Sequence, residues 1–206
     1  MSELISAIIL AIIQGITEWL PISSSGHLIL AEKILNYHSD LTFNVALHFG
    51  TLMSVFIYFG KEITDIFQDM LKFKFHTKNA KLGILIAIAT IPAGVVGLIF
   101  KEIFESVSTD LTIVALGFAI TGIILTITSL DLKVKKDNLN FKNSIIIGFS
   151  QVLSIFSGIS RSGITISTGI LSGLKEKTAL KFSFLMSIPI IFGANIITIG
   201  NQTLPP

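Results

Sequence analysis

The sequence predicts an all-α protein that crosses the membrane several times and also contains two re-entrant helical hairpins. Hydrophobic residues make up 51% of the 206 residues, whereas charged residues make up only 14%. A soluble domain carries about a quarter charged residues, so this chain cannot cover itself with a water-compatible surface. We therefore expect residues 1–206 to form a single integral membrane domain.

Charge and cysteine content exclude several other classes of protein. The net charge is only +2, and the lysines are spread over loops, so no nucleic-acid partner is expected. The chain has no cysteine, which excludes disulfides and thiolate metal sites.

About four segments have the length and apolar composition of a transmembrane helix, which needs roughly 17–25 residues. These predicted spans are Phe43–Phe59, Leu82–Phe100, Leu111–Leu130 and Leu180–Ile199.

Two further apolar stretches, 4–35 and 143–172, are each too long for one span and too short for two. Polar runs that contain glycine interrupt them at 23–27 and 157–163. Irregular polar backbone at membrane depth survives only where it is buried in protein or lines a wet cavity. Both stretches are therefore predicted to be re-entrant hairpins with polar tips near the midplane.

The distribution of lysines predicts the orientation of the chain. Loops 60–81 and 131–142 carry five and four lysines, whereas loop 101–110 carries one lysine and three acidic residues. By the positive-inside rule, the two lysine-rich loops are cytoplasmic and the acidic loop is outside. Charge does not decide whether each hairpin is re-entrant or crosses the membrane twice.

The two polar runs belong to an internal repeat with a shift of 137 positions. The shift lays identical residues on one another: Gln14 on Gln151, Ile22 on Ile159, Ser23 on Ser160, Ser25 on Ser162, Gly26 on Gly163 and Ile29 on Ile166. Three spans separate the hairpins, so an inverted-topology repeat is predicted, with copies at about 1–136 and 137–206. The second copy is incomplete within these 206 residues.

Arg161, the only arginine of the chain, is the first candidate for chemistry. A charge at the bilayer centre costs about 2.5–3.5 kcal/mol, and the planar guanidinium fork suits phosphate. Its neighbours offer hydroxyls and close backbone approach, as an anion cradle requires; they are Ser160, Ser162, Gly163 and Thr165. The alternative is a buried ion pair with Glu18 that only ties the hairpins together.

Glu18 lies four residues after Gln14, so both side chains share one helix face. A buried carboxylate beside a phosphate site holds a divalent cation or orients water as a base. The alternative is an interfacial glutamate next to Trp19, since tryptophan favours the headgroup zone.

His27 and Ser24 are further candidates in the first polar run. His27 would act as a general acid, general base or nucleophile, or would only be hydrogen-bonded in the turn. Ser24 would be a phosphate ligand, a nucleophile or a simple helix cap. His48, in the middle of a span, is interpreted as a packing residue.

The runs Gln14–His27 and Gly158–Thr165 resemble the motifs of the undecaprenyl-diphosphatase family, also known as bacitracin-resistance proteins. The resemblance implies hydrolysis of a polyprenyl (undecaprenyl) diphosphate to the monophosphate and inorganic phosphate, with Mg²⁺ or Ca²⁺. This reaction recycles the lipid carrier for cell-wall or glycan assembly. The resemblance also implies a multi-pass protein of the cell membrane whose active site faces the extracytoplasmic side.

The resemblance assigns roles residue by residue. The implied catalytic residues are Glu18, Ser24, His27 and Arg161, and the implied metal ligands are Glu18 and Gln14. The implied substrate-binding residues are Ser23, Ser25, Gly26, Ser160, Arg161, Ser162, Gly163 and Thr165. Gln14 stands where the family has a first glutamate, and Ser157 where it has a proline, so metal affinity is expected to drop.

Two rival functions come from the same features. A polyprenyl-phosphate transporter or flippase would use an inverted repeat with midplane hairpins equally well. A non-catalytic subunit that binds lipid diphosphate is the second rival. A transporter needs no acid or base beside the arginine, so Glu18 and His27 favour the enzyme. The expected partners are the lipid diphosphate and the bilayer, and a homo-oligomer is left open.

Overall fold

The computed structural model describes residues 2–130 and 136–203, and this part of the chain is almost entirely helical. Within these ranges the only β-type pairing is an isolated bridge between Lys136 and Leu174. The helices are α1 (Glu3–Thr17), α2 (Ser24–Leu35), α3 (Leu41–Tyr58), α4 (Gly60–Leu71), α5 (Lys78–Ile99), α6 (Lys101–Val107), α7 (Leu111–Ser129), α8 (Phe141–Gln151), α9 (Arg161–Leu171) and α10 (Glu176–Thr203).

The described helices confirm a polytopic all-α membrane protein. Three of them, α5, α7 and α10, are long and apolar enough to cross a membrane. Helix α3 provides a fourth span when it is taken together with α4, from which it is bent by 83°. The four predicted spans correspond to α3, α5, α7 and α10.

Two predicted loops contain helices, and this part of the sequence reading was wrong. Helix α4 occupies the first half of loop 60–81, where Ile63 and Ile66 pack against the core. The segment was predicted to be a loop because it is rich in charged residues, but its apolar residues recur with the period of a helix and form one face. The short helix α6 lies in loop 101–110. Lys133 and Lys135, which support the predicted orientation, lie outside the described residues.

Side-chain caps explain where the spanning helices begin. Asp40 accepts a hydrogen bond from the backbone N–H of Phe43, at 2.6 Å, and so caps α3. Thr77 caps α5 and Asp110 caps α7 in the same way. Such caps satisfy N–H groups that have no partner inside the helix. The apolar runs therefore begin as helices directly after a polar residue.

Both predicted hairpins are formed as two helices that a short break separates. The first hairpin consists of α1 and α2, with the break at residues 18–23. The second consists of α8, a 3-10 turn (Val152–Ile155) and α9. The re-entry of each hairpin from one side of the membrane and the inversion of the second copy relative to the first both stay predictions.

Repeat-related serines make the same bonds at the two breaks. Ser23 accepts a hydrogen bond from the N–H of Gly26 at 3.3 Å, and Ser160 accepts one from the N–H of Gly163 at 3.0 Å. Each of these hydroxyls also lies beside the hydroxyl two residues later, at 3.3 Å in the first hairpin and 3.2 Å in the second. The second helix of each hairpin is thus capped by one local design.

Helix α7 holds the second break in place. Gly158 adopts a φ of +90°, which favours glycine, and a Cβ there would lie 2.2 Å from the Val114 carbonyl oxygen. The Thr121 hydroxyl lies 3.2 Å from the Gly158 carbonyl oxygen and accepts the N–H of Ser160 at 3.0 Å. These contacts fix where Arg161 leaves the backbone.

Candidate active site

The two hairpins meet through a buried ion pair between Glu18 and Arg161. Glu18 directly follows α1, and Arg161 is the first residue of α9. Arg161 Nη2 donates to Glu18 Oε1 at 2.9 Å, and the two side chains are only 13% and 6% exposed. The ion pair with Glu18 that was the alternative interpretation of Arg161 is therefore formed, and it ties the two hairpins together.

Three further groups surround the second oxygen of the Glu18 carboxylate. Ser24 Oγ donates to Oε2 at 2.6 Å, and Gln14 Nε2 donates to the same atom at 3.0 Å. His48 Nε2 lies 3.8 Å from it. Glu18 thus joins residues of both hairpins and of α3.

Helix α10 and an aromatic residue orient the Arg161 side chain. Arg161 Nη1 donates to the Ser183 carbonyl oxygen at 3.4 Å, and Cζ lies 5.9 Å from the centre of the Trp19 ring. The Ser183 hydroxyl in turn lies 2.7 Å from that of Thr165. The sequence reading missed Ser183, because only the packing of α10 on α9 brings it to the arginine.

The Ser162 hydroxyl donates to the Leu20 carbonyl oxygen at 3.1 Å and so links the backbones of the two breaks. Ser23 has a φ of +67°, an uncommon conformation for a residue other than glycine. Such local strain persists only where the surroundings hold it, as in binding sites.

A cavity of about 410 Å³ lies beside the ion pair, within the size range of small-molecule sites. Its wall includes seven of the predicted site residues, which are Glu18, Ser23, Ser24, Ser25, Ser160, Arg161 and Ser162. Residues that were not predicted complete the polar part of the wall; they are Asn44, His48, Gln151, Ser154 and Asn195. The cavity offers one guanidinium, one carboxylate and many hydroxyl and amide groups to an anionic ligand.

Five predicted site residues are not among those that line the cavity, as the described residues define it. Gly26 and Gly163 are the third residues of α2 and α9, and a Cβ at Gly26 would lie 2.6 Å from the Phe118 ring. Thr165 is buried against Ser183. The other two are His27 and the fully buried Gln14, and the roles of all five stay predictions.

His27 Nδ1 lies 2.7 Å from the Ser23 carbonyl oxygen, and its ring packs against Phe118 at 5.1 Å. A carbonyl oxygen only accepts, so Nδ1 carries the hydrogen and Nε2 is left for proton transfer. His27 lies in the first turn of α2, which begins at Ser24, and it is not among the residues that line the cavity.

His48 lies in the cavity wall, so its interpretation as a packing residue was wrong. Its Nδ1 donates to the Asn44 carbonyl oxygen at 2.8 Å, which turns Nε2 toward Glu18. Asn44 and His48 stand four residues apart in an apolar helix and so share one face. That polar pair was the signal in the sequence that could have identified the site face of α3.

The donor set around Glu18 suits a divalent cation that is held mainly by phosphate oxygens. In the described ranges, no group of three His, Cys, Asp or Glu side chains converges on a common point. The buried Gln14 Oε1 has no hydrogen-bond partner in that part of the chain, and Gln14 contacts Glu18 through Nε2. Mg²⁺ often takes one or two carboxylates, with substrate phosphates and water as its other ligands.

The fold and the site define a class: a polytopic helical membrane protein with a buried arginine–carboxylate site for a phosphate-bearing ligand. The chain belongs to the bacitracin resistance protein BacA family, whose model matches residues 7–204.

The names of similar proteins agree with this family assignment. The chain is 42% identical over 199 residues to the undecaprenyl-diphosphatase of Thermosipho melanesiensis, covering 96% of this chain and 78% of that protein. It is 44% identical over 198 residues to the undecaprenyl-diphosphatase of Caldicellulosiruptor bescii, covering 94% and 74%. The undecaprenyl-diphosphatase of Methanosphaera stadtmanae is 35% identical over 215 residues, covering 97% and 78%.

Proposed function

We propose that this chain is a phosphatase that hydrolyses undecaprenyl diphosphate to undecaprenyl phosphate and inorganic phosphate. The relatives that share 35–44% identity over most of the chain are named for this activity. The observation that carries the proposal is the contact of Glu18 with both Arg161 and Ser24 at the wall of one cavity.

Arg161 is proposed to bind the diphosphate. Glu18 and Ser183 engage one hydrogen from each of its two terminal nitrogens, and a guanidinium carries five N–H donors in all. The remaining donors are available to phosphate oxygens at the cavity wall. Charge stabilisation and positioning are most of what phosphoryl transfer requires, and Ser160 and Ser162 would add hydroxyl contacts.

Glu18 is proposed to act as the base. Ser24 already donates its hydroxyl hydrogen to Glu18, at 2.6 Å, which is the arrangement of a nucleophile and its base. Either this hydroxyl or a water molecule in its place attacks the terminal phosphorus, its proton passes to Glu18, and the bond from that phosphorus to the bridging oxygen breaks. If Ser24 attacks, a water molecule then hydrolyses the phosphoserine, which releases inorganic phosphate and restores the Ser24 hydroxyl. His27 would protonate the leaving oxygen and regain a proton from solvent, and Glu18 would lose its proton to solvent.

A divalent cation, Mg²⁺ or Ca²⁺, is proposed to be held by Glu18 and the free Gln14 oxygen together with the diphosphate. When bound, it would neutralise part of the diphosphate charge. Gln14 supplies no negative charge, so the cation is expected to bind more weakly than at a site with two carboxylates.

The location of the activity follows from the predicted orientation. If the lysine-rich loops are cytoplasmic, the first residues of α3 and α7 lie on the outer side of a cell membrane. The cavity reaches Asn44 in the first turn of α3, so we propose that the site opens on the extracytoplasmic side.

The direct test is phosphate release from undecaprenyl diphosphate by the purified protein, with Mg²⁺ and with a chelator. Release that depends on Arg161 is the expected result. Movement of labelled lipid between leaflets without phosphate release would indicate a transporter. Binding of the lipid with neither activity would indicate a non-catalytic subunit, and either outcome contradicts the proposal.

A further inference from the structure

Three amide side chains in the cavity wall carry buried polar atoms that the ion pair does not use. Gln151 is 1% exposed and Asn195 is 7% exposed, and both line the cavity together with Asn44. Both polar atoms of Gln151, the Asn44 oxygen Oδ1 and the Asn195 nitrogen Nδ2 are buried and have no hydrogen-bond partner among the described residues. We name Asn44, Gln151 and Asn195 the amide cluster.

Buried polar atoms without partners cost free energy, so their convergence on one cavity requires an explanation. The internal repeat explains how the Gln151 amide became available. In the first hairpin, Gln14 donates to Glu18, four residues later. The position that matches Glu18 in the second hairpin is Ile155, which offers no acceptor, and both Gln151 and Ile155 line the cavity.

The amide cluster lies beside the ion pair and extends along α3 and α10 away from Ser183. Helices α3 and α10 run antiparallel, because Phe49 lies 6.5 Å from Phe192 while Phe59 lies 6.4 Å from Phe184. Asn44 and Asn195 therefore lie toward the same end of the helix pair.

Arg161 contacts α10 at the opposite end, through the Ser183 carbonyl oxygen. Asn195 follows Ser183 by twelve residues, about 18 Å along a helix at 1.5 Å per residue. On α3, Asn44 lies one turn before His48, whose Nε2 is 3.8 Å from Glu18, so the neutral amide groups begin about one helical turn from the ion pair.

The unused atoms of the cluster include both donors and acceptors. An amide N–H donates to a phosphate oxygen, whereas an amide oxygen accepts only from a ligand that carries a hydrogen. Inorganic phosphate keeps a P–OH throughout the neutral pH range, and a terminal phosphate group keeps one until its last proton leaves, at about pH 6. Sulfate carries no such hydrogen at neutral pH.

We propose that the amide cluster is a second phosphate subsite, which binds a protonated phosphate group through donors and acceptors together. This inference rests on the proposed function, because hydrolysis produces such a group in the same cavity. The subsite would hold either the terminal phosphate of the bound lipid or the inorganic phosphate after its release.

The first experiment measures binding of inorganic phosphate and of sulfate to the purified protein at pH 7, by the rise of the unfolding temperature with anion concentration. Arg161 attracts both anions, so the difference between them reports the acceptors of the amide cluster. We expect phosphate to bind at least about tenfold more tightly than sulfate, since an acceptor without a hydrogen stays unpaired. Equal affinities would overturn the inference without any variant.

The second experiment repeats these titrations with Asn44→Leu and Asn195→Leu, which nearly preserve side-chain volume. Each change is expected to weaken phosphate binding about tenfold, and Asn44→Leu should also reduce the preference over sulfate. The unfolding temperature without anions should stay the same or rise, because a buried polar atom without a partner is removed. Unchanged phosphate affinity in both variants would contradict the subsite.

Ser167→Ala is the matched control. The Ser167 hydroxyl is also buried without a hydrogen-bond partner in the described ranges, but it lies on α9 and outside the cavity wall. Its loss should leave phosphate affinity unchanged, and an equal loss of affinity would show that the effect is not specific to the cavity.

Steady-state kinetics distinguish the two sources of the phosphate group. If the subsite holds the terminal phosphate of the lipid, Asn195→Leu raises KM about as much as it weakens phosphate binding. If it holds only the released product, KM is unchanged while inhibition by phosphate weakens. Anion binding needs no hydrolysis, so failure of the proposed function and failure of the subsite give different results.

Discussion

The first and the second hairpin share one local design and differ in two residues that matter for chemistry. Ser23 and Ser160 cap their helices with the same bonds, and the residues that follow them, Ser24 and Arg161, occupy matching positions. Both of these side chains donate to Glu18, at 2.6 Å and 2.9 Å.

The difference shows how two hairpins with the same backbone design can form one asymmetric site. Glu18 in the first hairpin matches Ile155 in the second, so only one half supplies the carboxylate. Arg161 matches Ser24, so only the other half supplies the permanent cation. A carboxylate in both halves would leave negative charge without a matching cation, which is costly in a buried site.

Replacing the cation of the second hairpin should have the largest effect. Arg161→Lys keeps the charge but loses the planar fork that contacts Glu18 and Ser183, so kcat/KM should fall about 100-fold or more. Phosphate release measures this loss. Lys181→Arg, at an ion pair with Glu62 of 3.0 Å, is the control and should retain normal turnover. Near-normal turnover of Arg161→Lys would refute the proposed role.

The two histidines near the first hairpin should differ in importance. His27→Gln should lower kcat about 100-fold, because general acid–base groups contribute about 10²–10⁴-fold. His48→Gln should lower kcat less than about tenfold, since its Nε2 lies 3.8 Å from Glu18, beyond a hydrogen bond. Steady-state rates decide, and the reverse order would assign proton transfer to His48.

Replacing each of the two matching glutamines by glutamate should change the Mg²⁺ requirement of the enzyme in the first hairpin but not in the second. Gln14→Glu adds a carboxylate beside Glu18, so the Mg²⁺ concentration for half-maximal phosphate release should fall severalfold. In Gln151→Glu the new carboxylate has no second carboxylate beside it, because Ile155 stands at the position that matches Glu18. This variant should not lower the Mg²⁺ concentration for half-maximal release. An unchanged requirement in Gln14→Glu would show that Gln14 is not a ligand.

Removing the matching caps should have the smallest effect. Ser23→Ala and Ser160→Ala each remove one bond to a glycine N–H, so each should lower the free energy of unfolding by about 1 kcal/mol. Thermal unfolding of the purified variants measures the change. A loss from only one of the two would show that the shared design does not contribute equally to both hairpins.

The sequence was sufficient to predict the spans and the helix–break–helix form of the two hairpins, and it offered the pairing of Glu18 with Arg161 as the alternative to a phosphate site. These follow from apolar length, from polar interruptions and from the cost of a lone buried charge, all of which are local features. Helix α4 was not predicted because its content of charged residues is typical of a loop. Its apolar face is formed by Ile63 and Ile66, which pack against the core.

The partners from other helices could not be predicted. Ser183 contacts Arg161 through its backbone oxygen, and Asn195 reaches the cavity from an apolar helix. Both contacts depend on the register of α10 against its neighbours, which no local pattern specifies. His48 was accessible to prediction, because Asn44 one turn earlier marks the same face.

The most direct test of a single site shared by both hairpins is a double-mutant cycle on Glu18→Gln and Arg161→Lys, with kcat/KM for phosphate release measured in all four proteins. Residues that act as one unit have strongly non-additive effects. We predict that the double variant is no more than about threefold slower than the slower single variant. Losses that multiply would contradict the account, because they would mean that the carboxylate and the guanidinium act independently.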